Sequence, residues 1–163
     1  MQQKKLSIII LLTSIFIINQ AHAKLPEALA KKYLSTTIVE NQITLRAPEV
    51  AEEGKVVPIT IAEIKLPNKD SYVTDVSFYS ETNTNCPISQ YKLSKNMLGE
   101  GLGSRVKLPR TTKVHVIATL NTGEVITGSK EIKVTIGGCG GGSVIPSGAS
   151  VSNYCLEKKT SLQ

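Results

Sequence analysis

The sequence predicts an all-β fold: an immunoglobulin-like antiparallel β-sandwich with a short N-terminal helix and a flexible glycine-rich C-terminal arm. Three observations support this. Short runs rich in β-branched and aromatic residues recur along the chain, turn-forming clusters of glycine, asparagine and proline separate them, and no long helical pattern follows residue 34. Strands of this length bury one face each, so we expect two sheets packed against one another.

The first 23 residues have the layout of a cleaved secretory signal peptide. Lys4 and Lys5 precede an apolar run over residues 6–18, and Ala21-His22-Ala23 is a small-x-small cleavage site. The apolar run is shorter than the about 20 residues that a membrane-spanning helix needs, so no membrane segment is indicated. No twin-arginine pair precedes it. We expect cleavage before Lys24 and general secretion of a periplasmic protein.

The domain is predicted over residues 24–136. It opens with an amphipathic helix over 25–34, and strands are predicted over 42–46, 56–61, 72–79, 112–120 and 124–136. Glu52-Glu53-Gly54 and residues 67–70 are predicted as turns, with Glu52 and Glu53 forming a solvated corner. Asn121-Thr122-Gly123 is the hairpin turn between the last two strands.

A conventional active site is not indicated. His115, the one histidine left after processing, falls on the polar face of strand 112–120 together with Lys113 and Thr119, and we expect it to face solvent. The spacing of histidine, cysteine and carboxylate residues suggests no metal site, and no nucleophile-elbow or phosphate-loop pattern occurs. The residues therefore favour a protein that is not an enzyme and that needs no cofactor.

The charge is mildly basic and evenly spread. The chain has 19 basic and 13 acidic residues; without Lys4 and Lys5 there are 17 basic residues and a net charge of +4. The lysines are not clustered, and tryptophan is absent, so a nucleic-acid surface is not predicted. A mild positive charge helps to attract small anions.

The most informative segment is Gly137-Gly138-Cys139-Gly140-Gly141-Gly142, which directly follows the last predicted strand. Glycine packs poorly and is conformationally free, so the pattern predicts a swinging arm over residues 137–142. Gly137, Gly138, Gly140 and Gly141 would supply its flexibility. The three residues from Ile136 to Cys139 give a reach of roughly 10 Å. No neighbouring charge activates the thiol, which suits a covalent carrier whose partner enzyme supplies the base.

Three cysteines leave an alternative open. In an oxidising compartment an odd count leaves at least one thiol unpaired within the chain. Either Cys139 is that thiol, or Cys139 pairs with Cys155 in the C-terminal extension (residues 143–163) and Cys86 is left over. Under the second reading the protein is a structural or binding β-sandwich with a stabilising disulfide. A thiol–disulfide oxidoreductase is disfavoured because the chain has no Cys-x-x-Cys pair.

The residues around Cys139 resemble the SoxY family. The segment 133–141 is similar to the family's C-terminal arm, residues 46–54 and 56–59 are similar to its first strand region, and the resemblance spans most of residues 25–141. It implies a non-catalytic, cofactor-free sulfur carrier of thiosulfate oxidation, with Cys139 as the attachment site for inorganic sulfur anions. It also implies a heterodimer with a SoxZ-like subunit and visits to a c-type cytochrome pair, a dimanganese hydrolase and a sulfur dehydrogenase.

Two features depart from the family pattern. Family members usually end at or just after the arm, whereas this chain continues for 22 residues beyond Gly141. Cys155 in this extension is a candidate partner for a regulatory disulfide with Cys139. The family usually carries a twin-arginine signal, whereas this leader is of the general-secretion type, so pairing with the partner subunit would follow export.

Overall fold

The computed structural model describes residues 25–83, 87–97 and 99–136. These ranges contain one helix and nine strands, in chain order α1 (Glu27–Lys31), β1 (Ile38–Val39), β2 (Ile43–Arg46), β3 (Val50–Glu53), β4 (Val57–Ile64), β5 (Val73–Ser80), β6 (Ser89–Lys92), β7 (Gly103–Val106), β8 (Thr112–Leu120) and β9 (Val125–Ile136). In these ranges no helix is long and apolar enough to cross a membrane. The predicted signal peptide (1–23), arm (137–142) and extension (143–163) lie outside them.

The strands form two sheets. The larger has six strands in the order β1-β9-β8-β5-β6, with β3 also paired to β9, and the smaller has the order β2-β4-β7. The pairings within β9-β8-β5-β6 and within the smaller sheet are antiparallel, whereas β1 and β3 both pair with β9 in parallel. The prediction of an all-β fold with two sheets is confirmed. The two parallel pairings are an addition that the sequence pattern did not predict.

The main core lies between the sheets. Alternate residues of β4, β5 and β8 point into it and are fully buried: Ile59, Ile61, Val76, Phe78, Val114, Val116 and Ala118. Phe78 meets the Tyr91 ring edge-on, with ring centroids 6.2 Å apart. Burial of these apolar side chains is the main force that holds the sheets together.

Two short strands, β1 and β3, both pair with β9, and between them the chain passes through the smaller sheet as β2. β1 pairs with the start of β9, the chain then crosses to the smaller sheet as β2, and it returns as β3 beside the end of β9. At the crossing the Gln42 amide donates to the Thr127 carbonyl at 2.9 Å. A Cβ on Gly128 would collide with the Ile43 carbonyl, so this position requires glycine.

A second, smaller core lies on the outer face of the larger sheet. Leu25 and Leu29 of the N-terminal segment pack there against Tyr79, Ile117 and Val125. Strand β8 is therefore buried on both faces over most of its length. His115 lies on this covered face and is only 2% exposed, so the expectation that it faces solvent is wrong.

Other elements differ from the prediction in extent. The helix is shorter than the predicted 25–34. Pro26 precedes its first turn. After Lys31 the chain continues as turns, in which the Tyr33 amide donates a hydrogen bond to the Ala30 carbonyl. Glu52 and Glu53 are exposed, as expected, but they end strand β3 instead of forming a turn. The turn follows at Gly54 and Lys55. Strands β6 and β7 were missed, because both are short and lack the alternating apolar pattern.

Candidate functional site

The predicted sulfur-attachment residue Cys139 lies outside the described residues, as do Gly137, Gly138, Gly140 and Gly141. The possible disulfide partner Cys155 and the remaining Cys86 also lie outside them. The structure does describe the strand that precedes the predicted arm. Strand β9 is twelve residues long and extends to Ile136, where it pairs with Glu53 of β3. Cys139 lies three residues after Ile136, so the geometry around the end of β9 limits how far its thiol can lie from the sheet.

The end of β9 is held on both of its edges. On one edge, β3 pairs with it, the Lys133 amide donates to the Glu49 carbonyl at 2.9 Å, and the Thr135 hydroxyl donates to the Glu52 carbonyl at 2.9 Å. On the other edge, β8 pairs only as far as Ile132. Beyond it the Val134 amide donates to the Thr111 hydroxyl at 3.0 Å. The strand is thus stabilised beyond its main neighbour, up to the start of the predicted arm.

An exposed surface surrounds this strand end. Val50 is the register partner of Lys133, and both side chains are exposed, Val50 by 50%. Val56, which follows the turn after β3, is 60% exposed. The helical segment that covers the other half of the outer face packs near the start of β9, at Val125. Among the described residues, the N-terminal segment therefore does not cover the end of the sheet that precedes the predicted arm.

A histidine–carboxylate pair lies on the covered face, with the histidine buried and the carboxylate partly exposed. His115 Nε2 is 2.8 Å from Glu81 Oε1, and the Glu81 side chain is 41% exposed. The hydrogen bond from His115 lowers the pKa of Glu81 from its ordinary value, aided by the charges of His115 and Lys113 and opposed by burial. Ser129, the register partner of His115 on β9, has a buried hydroxyl without a hydrogen-bond partner among the described residues.

Sequence reasoning missed this pair, although the sequence contains a signal for it. The apolar residues of the N-terminal helix need a surface to pack on, and the outer face of β8 offers Ile117 beside His115. The pair itself has the geometry of a structural contact. Glu81 satisfies the Nε2 nitrogen of the histidine ring.

A cavity lies near the start of β9, at the other end of this strand from Ile136. It has a volume of about 400 Å³ and is lined by residues that include Ile64, Tyr72, Val73, Lys95 and Met97. The Asn121 side chain, in the β8–β9 turn, donates to the Asp70 carbonyl beside it, which places the cavity near the start of β9. No group of three or more potential metal ligands occurs within residues 25–83, 87–97 and 99–136.

Comparison with solved structures finds a SoxY relative. The sulfur carrier protein SoxY from Chlorobium limicola f thiosulfatophilum is 28% identical, with a TM-score of 0.50, over 66% of this chain and 89% of that one. A superoxide reductase (neelaredoxin) from Ignicoccus hospitalis is 15% identical, with a TM-score of 0.48, over 58% of this chain and 80% of that one. A search of curated protein sequences finds no match.

A protein-family model also matches most of the chain. The family model described as "Sulfur oxidation protein SoxY" matches residues 29–139, from helix α1 through the described end of β9 to Cys139. This range is well over half of the 163 residues. The chain belongs to the SoxY family of sulfur oxidation proteins.

Proposed function

We propose that the chain is a periplasmic covalent sulfur carrier that holds thiosulfate-derived intermediates on Cys139 and presents them to the enzymes of the Sox system. One observation carries the proposal: the family match extends to residue 139, so it includes the cysteine that follows the last strand. The Chlorobium relative is itself described as a sulfur carrier protein. The anchored end of β9 supports a fixed origin for the arm.

The chemistry requires only a thiol from this chain. In the loading step the Cys139 thiol and thiosulfate form a cysteine S-thiosulfonate, with release of one proton and two electrons to a c-type cytochrome pair. Water then cleaves the terminal sulfonate in a dimanganese hydrolase, which releases sulfate and a proton and leaves a persulfide on Cys139. With three waters as the oxygen source, a sulfur dehydrogenase would then oxidise the outer sulfur of the bound persulfide to a cysteine S-sulfonate, passing six electrons to its own acceptor and releasing seven protons. Each enzyme supplies its own base and metal chemistry, so a carrier has no need of a catalytic group.

Partner subunits follow from the same proposal. The chain forms a heterodimer with a SoxZ-like subunit after export, because its leader is of the general-secretion type. The extension after the arm has one candidate role, a disulfide between Cys139 and Cys155 that guards the thiol until loading.

The test is the intact mass of the protein purified from the periplasm, before and after reductant. A Cys139→Ser variant and, as matched control, a Cys155→Ser variant are measured alongside. We expect reductant-labile sulfur adducts on the wild-type protein and on Cys155→Ser, and none on Cys139→Ser. The same masses show whether the leader is removed before Lys24 and whether the extension is retained.

Two results would contradict the carrier. One is a mass two hydrogens below the reduced value, with a Cys139–Cys155 bridge that thiosulfate and the loading enzyme never open. The other is a large loss of thermal stability in Cys139→Ser, because a structural bridge closing this loop would contribute about 3 kcal/mol in the chain-entropy model. A carrier thiol on an arm leaves the unfolding transition nearly unchanged.

A further inference from the structure

The N-terminal segment is joined to the sheet by a carboxylate that binds its first described residue. The Leu25 amide donates a hydrogen bond to Glu40 Oε1 at 3.1 Å, and the Leu25 side chain is only 3% exposed. Glu40 lies in the turn that follows β1. The position of the backbone at residue 25 is therefore fixed by the burial of its side chain and by its hydrogen bond to this carboxylate.

The turn that carries Glu40 is itself held in place. Asn41 has a positive φ of 60°, a left-handed conformation that asparagine tolerates in turns. The Gln42 side chain donates to the Glu40 carbonyl at 3.0 Å, and the Gln42 amide donates to the Thr127 carbonyl of β9 at 2.9 Å. The carboxylate is thus presented from an ordered backbone, so a group that binds it does not have to order the turn.

The Glu40 carboxylate lacks a positively charged partner among the described residues. It is partly buried, and within the described ranges it forms no ion pair with a lysine, an arginine or a histidine. Glu27, the acidic residue of helix α1, pairs with Lys31 at 3.1 Å. A carboxylate that is partly withdrawn from water is stabilised further when a cation approaches it.

Cleavage of the leader would place such a cation next to Glu40. This step rests on the proposed export and on cleavage before Lys24. The backbone nitrogens of consecutive residues are at most about 3.7 Å apart, so the nitrogen of residue 24 is within about 7 Å of Glu40 Oε1. In the precursor this nitrogen belongs to a neutral peptide bond, whereas in the mature chain it is an α-ammonium group.

We propose that the α-ammonium group of Lys24, created when the leader is removed, forms an ion pair with Glu40 that holds the N-terminal segment on the sheet. Hydrolysis of the peptide bond between Ala23 and Lys24 consumes one water, leaves a carboxylate on the leader and leaves the ammonium on the mature chain. Leader removal thereby strengthens the packing of Leu25 in the outer core. The precursor lacks this ion pair, so its N-terminal segment is held less firmly.

The test uses the protein purified from the periplasm, with its α-amino group either free or carbamylated. Cyanate near neutral pH modifies the α-amino group in preference to lysine side chains, because the pKa of the α-amino group is lower. Glu40→Gln keeps an oxygen for the Leu25 amide and removes the charge, and Glu27→Gln is the matched control in the same segment. Peptide mass mapping verifies the modified site, and hydrogen exchange of residues 25–33 reports opening of the segment.

We expect carbamylation to speed hydrogen exchange across residues 25–33 about threefold in the wild-type protein, the effect of one partly exposed ion pair. The modification should have no effect in Glu40→Gln, because the carboxylate charge is already absent, and it should act in Glu27→Gln as in the wild type. At pH 7 the free amine should react with cyanate about threefold more slowly in the wild type than in Glu40→Gln, because the ion pair keeps it protonated.

Three results would overturn the ion pair. They are unchanged exchange in the carbamylated wild type, an equal effect of carbamylation in Glu40→Gln, and equal reactivity with cyanate in these two proteins. The second result would assign the effect to the bulk of the added group. A purified chain whose first residue is not Lys24 would overturn the cleavage site on which the ion pair rests, and failure to load sulfur on Cys139 would overturn only the carrier, so these failures are distinguishable.

Discussion

At the scale of single residues, the hydrogen bond to Glu81 allows His115, a polar residue, to be buried beneath the N-terminal segment. His115 is 2% exposed, and Glu81 reaches it from the end of β5 at 2.8 Å. An unpaired buried imidazole would be costly. The carboxylate removes that cost, so a histidine can occupy a position that the alternating pattern assigns to solvent.

The lowered pKa of Glu81 predicts a dependence of stability on acid. A carboxyl whose pKa is lower in the folded state binds fewer protons there than in the unfolded chain, so its contribution is present above the ordinary value of 4.5 and is lost as the pH falls through the folded value. Urea unfolding measured from pH 7 down to about pH 3 should show a smaller acid loss in Glu81→Gln than in wild type. Identical slopes for the two proteins would contradict the pairing.

At the scale of elements, the two ends of β9 impose different requirements. Near its start β9 is crossed by β2, and the crossing depends on the absence of a side chain at Gly128. Near its end it is extended past β8 by β3 and Thr111. The first feature brings the sheets together, and the second sets the position of Ile136.

The crossing predicts that Gly128→Ala is strongly destabilising. The added methyl group collides with the Ile43 carbonyl, which is backbone and cannot rotate away, so we expect a loss of about 2–3 kcal/mol in the free energy of unfolding. Gly103→Ala is the matched control, because its nearest neighbour is the Thr60 hydroxyl at 3.2 Å, a side chain that can shift. Chemical denaturation of both variants checks the order, and a Gly103→Ala loss equal to that of Gly128→Ala would contradict it.

The anchored end of β9 predicts slow hydrogen exchange up to Ile136, its last residue. Thr111→Val and Thr135→Val remove hydroxyls at nearly constant volume, and each should speed exchange of the amides at 133–136 roughly fivefold, the effect of one lost hydrogen bond. Exchange mass spectrometry measures this directly. Thr44→Val, an exposed threonine on β2 of the smaller sheet, serves as control and should leave these amides unchanged. Protection that survives both substitutions would show that β3 alone holds the strand.

At the scale of the whole molecule, the fold is a two-sheet sandwich with a third, partial layer. The N-terminal segment covers the part of the outer face formed by Tyr79, Ile117 and Val125, and within the described residues it does not reach the end of β9. The covered part stabilises the domain.

The partial layer predicts that the N-terminal segment is part of the stable domain. Leu29→Ala should lower the free energy of unfolding by about 2–4 kcal/mol, because Leu29 is 2% exposed and packs in the outer core. Leu34→Ala is the matched control, since that side chain is 80% exposed and should cost little. Thermal unfolding of the two variants distinguishes them, and equal transitions would mean that the segment does not contribute.

Local patterns along the chain are enough to predict the fold class, the strand ranges of 112–120 and 124–136 to within a residue, and the SoxY family. These follow from local alternation, turn residues and a short motif, all of which are readable along the chain. The tertiary structure decided what depends on contacts between distant segments. The parallel pairing of β3 with β9 makes Glu52 and Glu53 part of a strand, because Thr135 and Lys133 complete its hydrogen bonds. Likewise His115 is buried because Leu25 and Leu29, almost ninety residues earlier, fold over its face of β8.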